Sequence, residues 1–138
     1  MAVGFQIDMI VYLVGSGDFL NSFFSTVCYR LEAGRLGSRY PYLMRKLYPG
    51  HLPFQEVRFA KAELMNVQAA LKNFPPSQVI WDMDDLKKQP PWGARISKRI
   101  TDLSNYFVTS DGRDLISVMF MAFEESEREK IDIRIVSL

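Results

Sequence analysis

Both ends of this chain carry the same signature, and it narrows the fold more than anything between them. Val3, Phe5, Ile7, Met9, Val11 and Leu13 alternate with Gly4, Gln6, Asp8 and Tyr12, and Ile131, Ile133 and Ile135 alternate with Asp132 and Arg134. A period of two belongs to a strand with one face on a core and the other toward solvent. Parallel strands covered by helices on both faces read instead as unbroken apolar runs. The expected fold class is therefore α+β: a small, mostly antiparallel sheet, including one strand over 3–13 and a last strand over 131–138, with helices packed on one side.

Helical spacing fills much of the interior. After "GSGDF", Leu20, Phe23, Phe24, Val27, Cys28 and Leu31 fall on one helical face, with Gly34 placed to end it. A connector rich in glycine, proline and tyrosine holds one short helix around Tyr42 to Leu47. Pro53 then suits the first turn of a helix whose inward stripe is Val57, Ala60, Leu64, Val67 and Leu71. In "QVIWDMDDLKKQPPWG", Val79 to Trp81 read as a short strand and Pro90 and Pro91 as an extended loop. "NYFVTS" reads as a further strand, followed from Leu115 by a helix apolar around most of its circumference, which "EESEREK" carries into solvent. Neither a repeat nor a linker divides the 138 residues, so one domain over 1–138 is expected.

Charge and cysteine content bear on partners and compartment. A net charge of +1 supplies no whole-molecule attraction to nucleic acid or to an anionic membrane. The one cysteine, Cys28, excludes an internal disulfide and fits a cytoplasmic protein. The apolar start lacks a basic leader and carries Gln6 and Asp8, so it reads as a strand rather than a signal segment.

Each candidate for chemistry has a structural alternative. "GSGDFL" lies between a strand and a helix, but Leu20 occupies the place where a dinucleotide-binding turn needs a small residue, so Ser16 or Asp18 is expected to cap the helix. His51 is the sole histidine and reads as a loop residue, and Cys28 as a buried hydrophobe. In "SDGRD", Asp111 is expected to cap the following helix, Asp114 to favour its positive end, and Arg113 to pair with either acid. Asp82, Asp84 and Asp85 admit three readings: a solvated loop, a partner surface between Trp81 and Trp92, or a metal site. Lys87, Lys88, Arg95, Lys98 and Arg99 follow as a basic run, read as solvated in preference to a nucleic-acid patch.

The phrases "GSGDFLNSFFST" (15–26), "YPYLMRKLY" (40–48), "VIWDMDDLKKQPPWG" (79–93) and "TDLSNYFVTSDGRDL" (101–115) together resemble a bacterial family. It is immunity-protein family number seventy of the polymorphic toxin systems, and the likeness runs over nearly the whole length. The resemblance implies a cytoplasmic, non-catalytic α+β protein without a cofactor, encoded beside a secreted toxin, that binds the toxin's C-terminal domain and blocks it. Trp81, Asp82, Asp84, Asp85 and Trp92 are the partner-binding residues expected from the sequence. The alternatives are a small metal-dependent hydrolase using Asp82, Asp84 and Asp85, or Asp111 with Asp114, and a homo-oligomeric structural or regulatory protein.

Overall fold

The structure, a computed structural model, describes residues 1–138. Its sheet has four strands in the order β2-β1-β4-β3, with every neighbouring pair antiparallel. These are β1 (Ala2–Ile7), β2 (Ile10–Ser16), β3 (His51–Leu52) and β4 (Ile133–Ser137). The single strand expected over 3–13 is thus corrected to a hairpin. Asp8 and Met9 make its two-residue turn, with Asp8 at φ 54°, a conformation that aspartate tolerates better than most residues. Because the register pairs Phe5 with Tyr12 and Ile7 with Ile10, odd positions oppose even ones and the turn inverts the phase of the alternation. Phe5 and Ile7 are buried, whereas Met9 is 88% exposed and Val11 lies at the surface.

Three helices form the core with the sheet, two of them lying directly against its strands. Helix α1 (Gly17–Thr26) starts on Ser16, whose hydroxyl accepts from the Phe19 N–H at 3.1 Å, as one of the two expected caps. It runs on through a π-helical turn, Val27–Leu31, and ends at Gly34, where φ is 79° and the N–H donates to the Cys28 carbonyl. Helix α2 (Val57–Leu71) follows Pro53 and a 3-10 turn, and buries Val57, Ala60, Leu64, Val67 and Leu71, the stripe read from the sequence. Helix α3 (Leu115–Glu129) packs on α2 and ends at Lys130 in the left-handed region. Phe5, Ile7, Leu52 and Ile133 are buried on the inner face of the sheet, while Gln6, Val11, His51 and Arg134 on its outer face are partly or fully exposed. The buried apolar residues form one cluster of 29.

Two glutamates organise the connector between the first two helices. Glu32, buried, accepts backbone N–H bonds from Gly37, Arg39 and Tyr40 at 2.9 to 3.1 Å. Glu63 on α2 accepts from the Leu43 and Tyr42 N–H groups, satisfying free donors at the start of the short helical run that ends in the π-helical turn Leu43–Leu47. Burial pushes the Glu63 carboxyl above its usual range, and these two N–H bonds only partly offset it.

Three sequence expectations need correction. Val79 to Trp81 are not a strand: they lie along α1 and bond to its side chains rather than to a sheet. "NYFVTS" is not a strand either, since only an isolated bridge joins Val108 to Asp114. Its Tyr106 and Phe107 are buried in the core as loop residues, as is Leu103 just before it, whereas Val108 is exposed. Finally, "EESEREK" is not wholly solvated, because Glu125 and Ser126 are buried, Glu125 pairing with Arg128 and Ser126 donating to the Ile131 carbonyl.

Candidate functional site

The stretch from Phe74 to Asp114 contains one 3-10 turn, Pro76–Gln78, and otherwise no regular element. A segment this long without a ladder must find partners for its backbone groups elsewhere. Helix α1 supplies them through Ser22, Ser25 and Thr26, all fully buried. The Ser22 and Thr26 hydroxyls donate to the Ile80 carbonyl at 2.8 and 3.2 Å. Thr26 also accepts from the Ile80 N–H at 3.1 Å, and Ser25 accepts from the Met83 N–H at 2.9 Å. Arg30 donates to the Gln78 carbonyl at 2.8 Å. Hydroxyls at i, i+3 and i+4 on an otherwise apolar helix were the available signal for this clamp, and sequence reasoning missed it.

Beside the clamp the two sequence-predicted tryptophans come together. Trp81 and Trp92 meet edge to face, with centroids 5.3 Å apart at 85°. Trp92 is tilted against Tyr106 and donates from Nε1 to its hydroxyl at 2.8 Å. Burial pushes the Tyr106 hydroxyl above its ordinary value, and the Trp92 bond opposes that rise. Tyr106 in turn packs on Phe107, so the two tryptophans are seated on the core.

The three aspartates do not converge. Asp82 Oδ1 accepts from the Asp84 N–H at 2.9 Å, and its Oδ2 lies 3.5 Å from Lys88 Nζ. Asp85 Oδ1 accepts from the Lys87 N–H at 3.2 Å. These are turn-forming bonds between close neighbours, which leave Asp84 and Asp85 exposed at the surface. Their charge still reaches inward: the Tyr48 hydroxyl is pushed up first by burial, then by Asp84 and Asp82. Nowhere in the chain do three or more His, Cys, Asp or Glu side chains come together in a way that could hold a metal ion.

The remaining candidates have structural roles. Asp114, not Asp111, caps α3, accepting from the Ser117 N–H at 3.0 Å. Asp111 accepts from the Thr109 hydroxyl and pairs with Arg113 at 3.6 Å, so one of the two pairings expected for Arg113 forms. His51 is not a loop residue: it lies in β3, with Nε2 2.8 Å from Asp132 Oδ2. Cys28 is buried as expected, and burial, with Glu32 adding to it, pushes its thiol up, away from the reactive thiolate. No helix is long and apolar enough to cross a membrane.

Basic residues follow Trp92 in the same segment. Arg95, Lys98 and Arg99 are exposed and take part in none of the chain's ion pairs. Two grooves flank the loop that carries them. One, of about 380 Å³, is lined by Trp92, Ile96 and Ile100 from the loop, by Tyr106 further along the same segment and by Phe19 of α1. The other, of about 330 Å³, lies between Pro76, Val79 and Pro90.

No curated protein and no solved structure matches this chain. A family model described as Immunity protein 70 matches residues 5–135, a span that takes in most of the sheet, all three helices and the clamped loop. That span covers nearly the whole sequence, and the chain therefore belongs to the Immunity protein 70 family.

Proposed function

We propose that this protein binds the C-terminal domain of a cognate secreted toxin in the cytoplasm and neutralises it by occupancy, without turnover. The observation that carries this reading is the family match over residues 5–135. The geometry supports it by offering a surface rather than a reaction centre. The only histidine is paired with Asp132, the only thiol is buried, and the aspartates bond to their own turns. The surface assigned to the partner comprises Trp81, Asp82, Asp84, Asp85 and Trp92. Aromatic anchors packed on a core lose little side-chain freedom on binding, and exposed carboxylates steer a basic partner toward them. A toxin whose own active groove binds phosphates would meet Asp84 and Asp85 in the place of its substrate.

Co-expression tests this directly. The C-terminal domain of the secreted protein encoded next to this chain should arrest growth alone, and this protein should restore it. Soluble expression without rescue would overturn the proposal. Reversing charge at the exposed positions, Asp84→Lys with Asp85→Lys, should slow association by about tenfold at low salt while leaving the fold intact.

One observation favours self-association as a second reading. Strand β2 is an edge of the sheet, carries no charged residue, and exposes Ile10 and Val11. A solution mass near 15.9 kDa across the micromolar range would dismiss it.

A further inference from the structure

We infer that the groove beside Trp92 receives an acidic segment of the partner protein, with a bulky apolar side chain in the groove and a carboxylate on the cations at its rim. The inference rests on the toxin-binding reading and specifies the half of the interface that Asp84 and Asp85 do not serve. Phe19, Trp92, Ile96, Ile100, Tyr106 and Val108 make most of the lining, and the polar contribution is limited to Ser97 and Arg95. A small molecule or cofactor is usually oriented by several converging polar groups, and the groove lacks them. It suits an apolar side chain, with specificity supplied from the rim.

Charge decides what kind of chain brings that side chain. Arg95 is on the groove itself, and Arg99 lines an adjoining hollow that shares Ser97, Ile100 and Val108 with it. Lys98 lies between them in sequence, and none of the three has an acidic partner in the chain. Lys88, by contrast, is paired with Asp82 at 3.5 Å. The one carboxylate lining the hollow, Asp114, is bonded to the Ser117 hydroxyl and N–H as a helix cap. A row of free cations beside an apolar groove is complementary to a carboxylate next to an aromatic or branched aliphatic residue.

A nucleic acid is the competing occupant, since cations and aromatics also hold single strands. Two observations favour protein. Trp92 is not an open stacking platform: its ring meets Trp81 edge to face and its Nε1 is bonded to Tyr106. The same segment also carries Asp82, Asp84 and Asp85, which would repel a phosphate backbone, and the net charge is +1. The segment is thus bipolar, with its carboxylates directly after Trp81 and its free cations after Trp92.

The experiment compares wild type, R95A/K98A/R99A and V108E, with calorimetric affinity for the neighbouring toxin domain and growth rescue as readouts. Val108 lines the groove and is exposed, so V108E places a carboxylate there without opening the core. Melting temperatures within a few degrees of wild type confirm that both variants fold. The expected result is a loss of at least thirtyfold in affinity for each, together with a flatter dependence of affinity on salt for the triple variant. Wild-type affinity in both variants, with rescue intact, would overturn this inference and leave the toxin-binding reading standing. Failure of the wild-type protein itself to bind or rescue would overturn both. Fluorescein-labelled oligo-uridine and oligo-thymidine of 20 nucleotides form the remaining arm. Micromolar binding that R95A/K98A/R99A abolishes would transfer the groove to nucleic acid and overturn the proposal.

Discussion

At the scale of single residues, this fold places several of its carboxylates on backbone donors. Glu32, Glu63, Asp82, Asp85, Asp114 and Asp132 each accept at least one main-chain N–H. Asp132 does most at one point: its Oδ1 accepts from the Phe54 N–H at 2.9 Å and its Oδ2 meets His51 at 2.8 Å, which ties the entry of α2 to β3. The His51 bond and the Phe54 N–H hold its carboxyl below the ordinary value of 3.8, with a smaller opposing effect of burial and help from the charges of His51 and Arg134. A carboxyl depressed in the folded state contributes stability that is complete above its unfolded pKa and lost as pH falls through its folded one. Asp132→Asn should therefore lower the denaturant midpoint at pH 7, and the gap to wild type should close as pH drops below about 4. The side chain is about one-third exposed, so the effect is small. A gap that persists unchanged at pH 2.5 would assign it to lost packing rather than to charge. Aspartate at a turn or before a helix was legible as structural, but the choice of Asp114 over Asp111 as the cap was not. Both positions satisfy the same local rule, and Thr109 decides by occupying Asp111.

At the scale of elements, helices were easier to read than strands. The stripe along α2 was recovered residue for residue because a 3.6-residue period over many residues has few alternatives. The hairpin was missed because alternation continues through its turn: Asp8 replaces the glycine that would have marked it, and the phase inversion leaves apolar residues on both parities. Gly4 is where the hairpin can be tested. It sits at the register shift between β1 and β2, and a Cβ there would lie 2.7 Å from the Tyr12 carbonyl oxygen and 2.9 Å from Val11 Cγ1. The nearer contact is backbone, so relief requires the strands to separate. Gly4→Ala should cost about 1–3 kcal/mol by chemical denaturation, and neutral behaviour would show that the two strands do not approach so closely.

At the scale of the whole molecule, the sheet and three helices form one body, and the irregular segment that carries the candidate interface is attached by side chains. Its composition was legible in the sequence as tryptophan, aspartate, proline and a basic run, but its position was not, because the attachment depends on residues more than fifty positions apart. This architecture makes a definite statement about cooperativity. Both tryptophans lie in that segment, so their fluorescence reports on it, while far-UV circular dichroism reports on the helices. In the wild type the two denaturation curves should coincide, since Tyr106, Phe107 and Leu103 anchor the same segment in the core. Thr26→Val keeps the shape of the side chain but removes the hydroxyl that both accepts from and donates to Ile80. The Ile80 carbonyl keeps Ser22, whereas its N–H is left without a partner, at a cost of about 1–3 kcal/mol. That cost falls on the attachment rather than on the sheet, so the fluorescence transition should move to lower denaturant ahead of the dichroism transition, with faster amide exchange confined to residues 79–83. If both transitions shift together by the same amount, the segment unfolds only with the body, and the partner surface is as rigid as the core on which it rests.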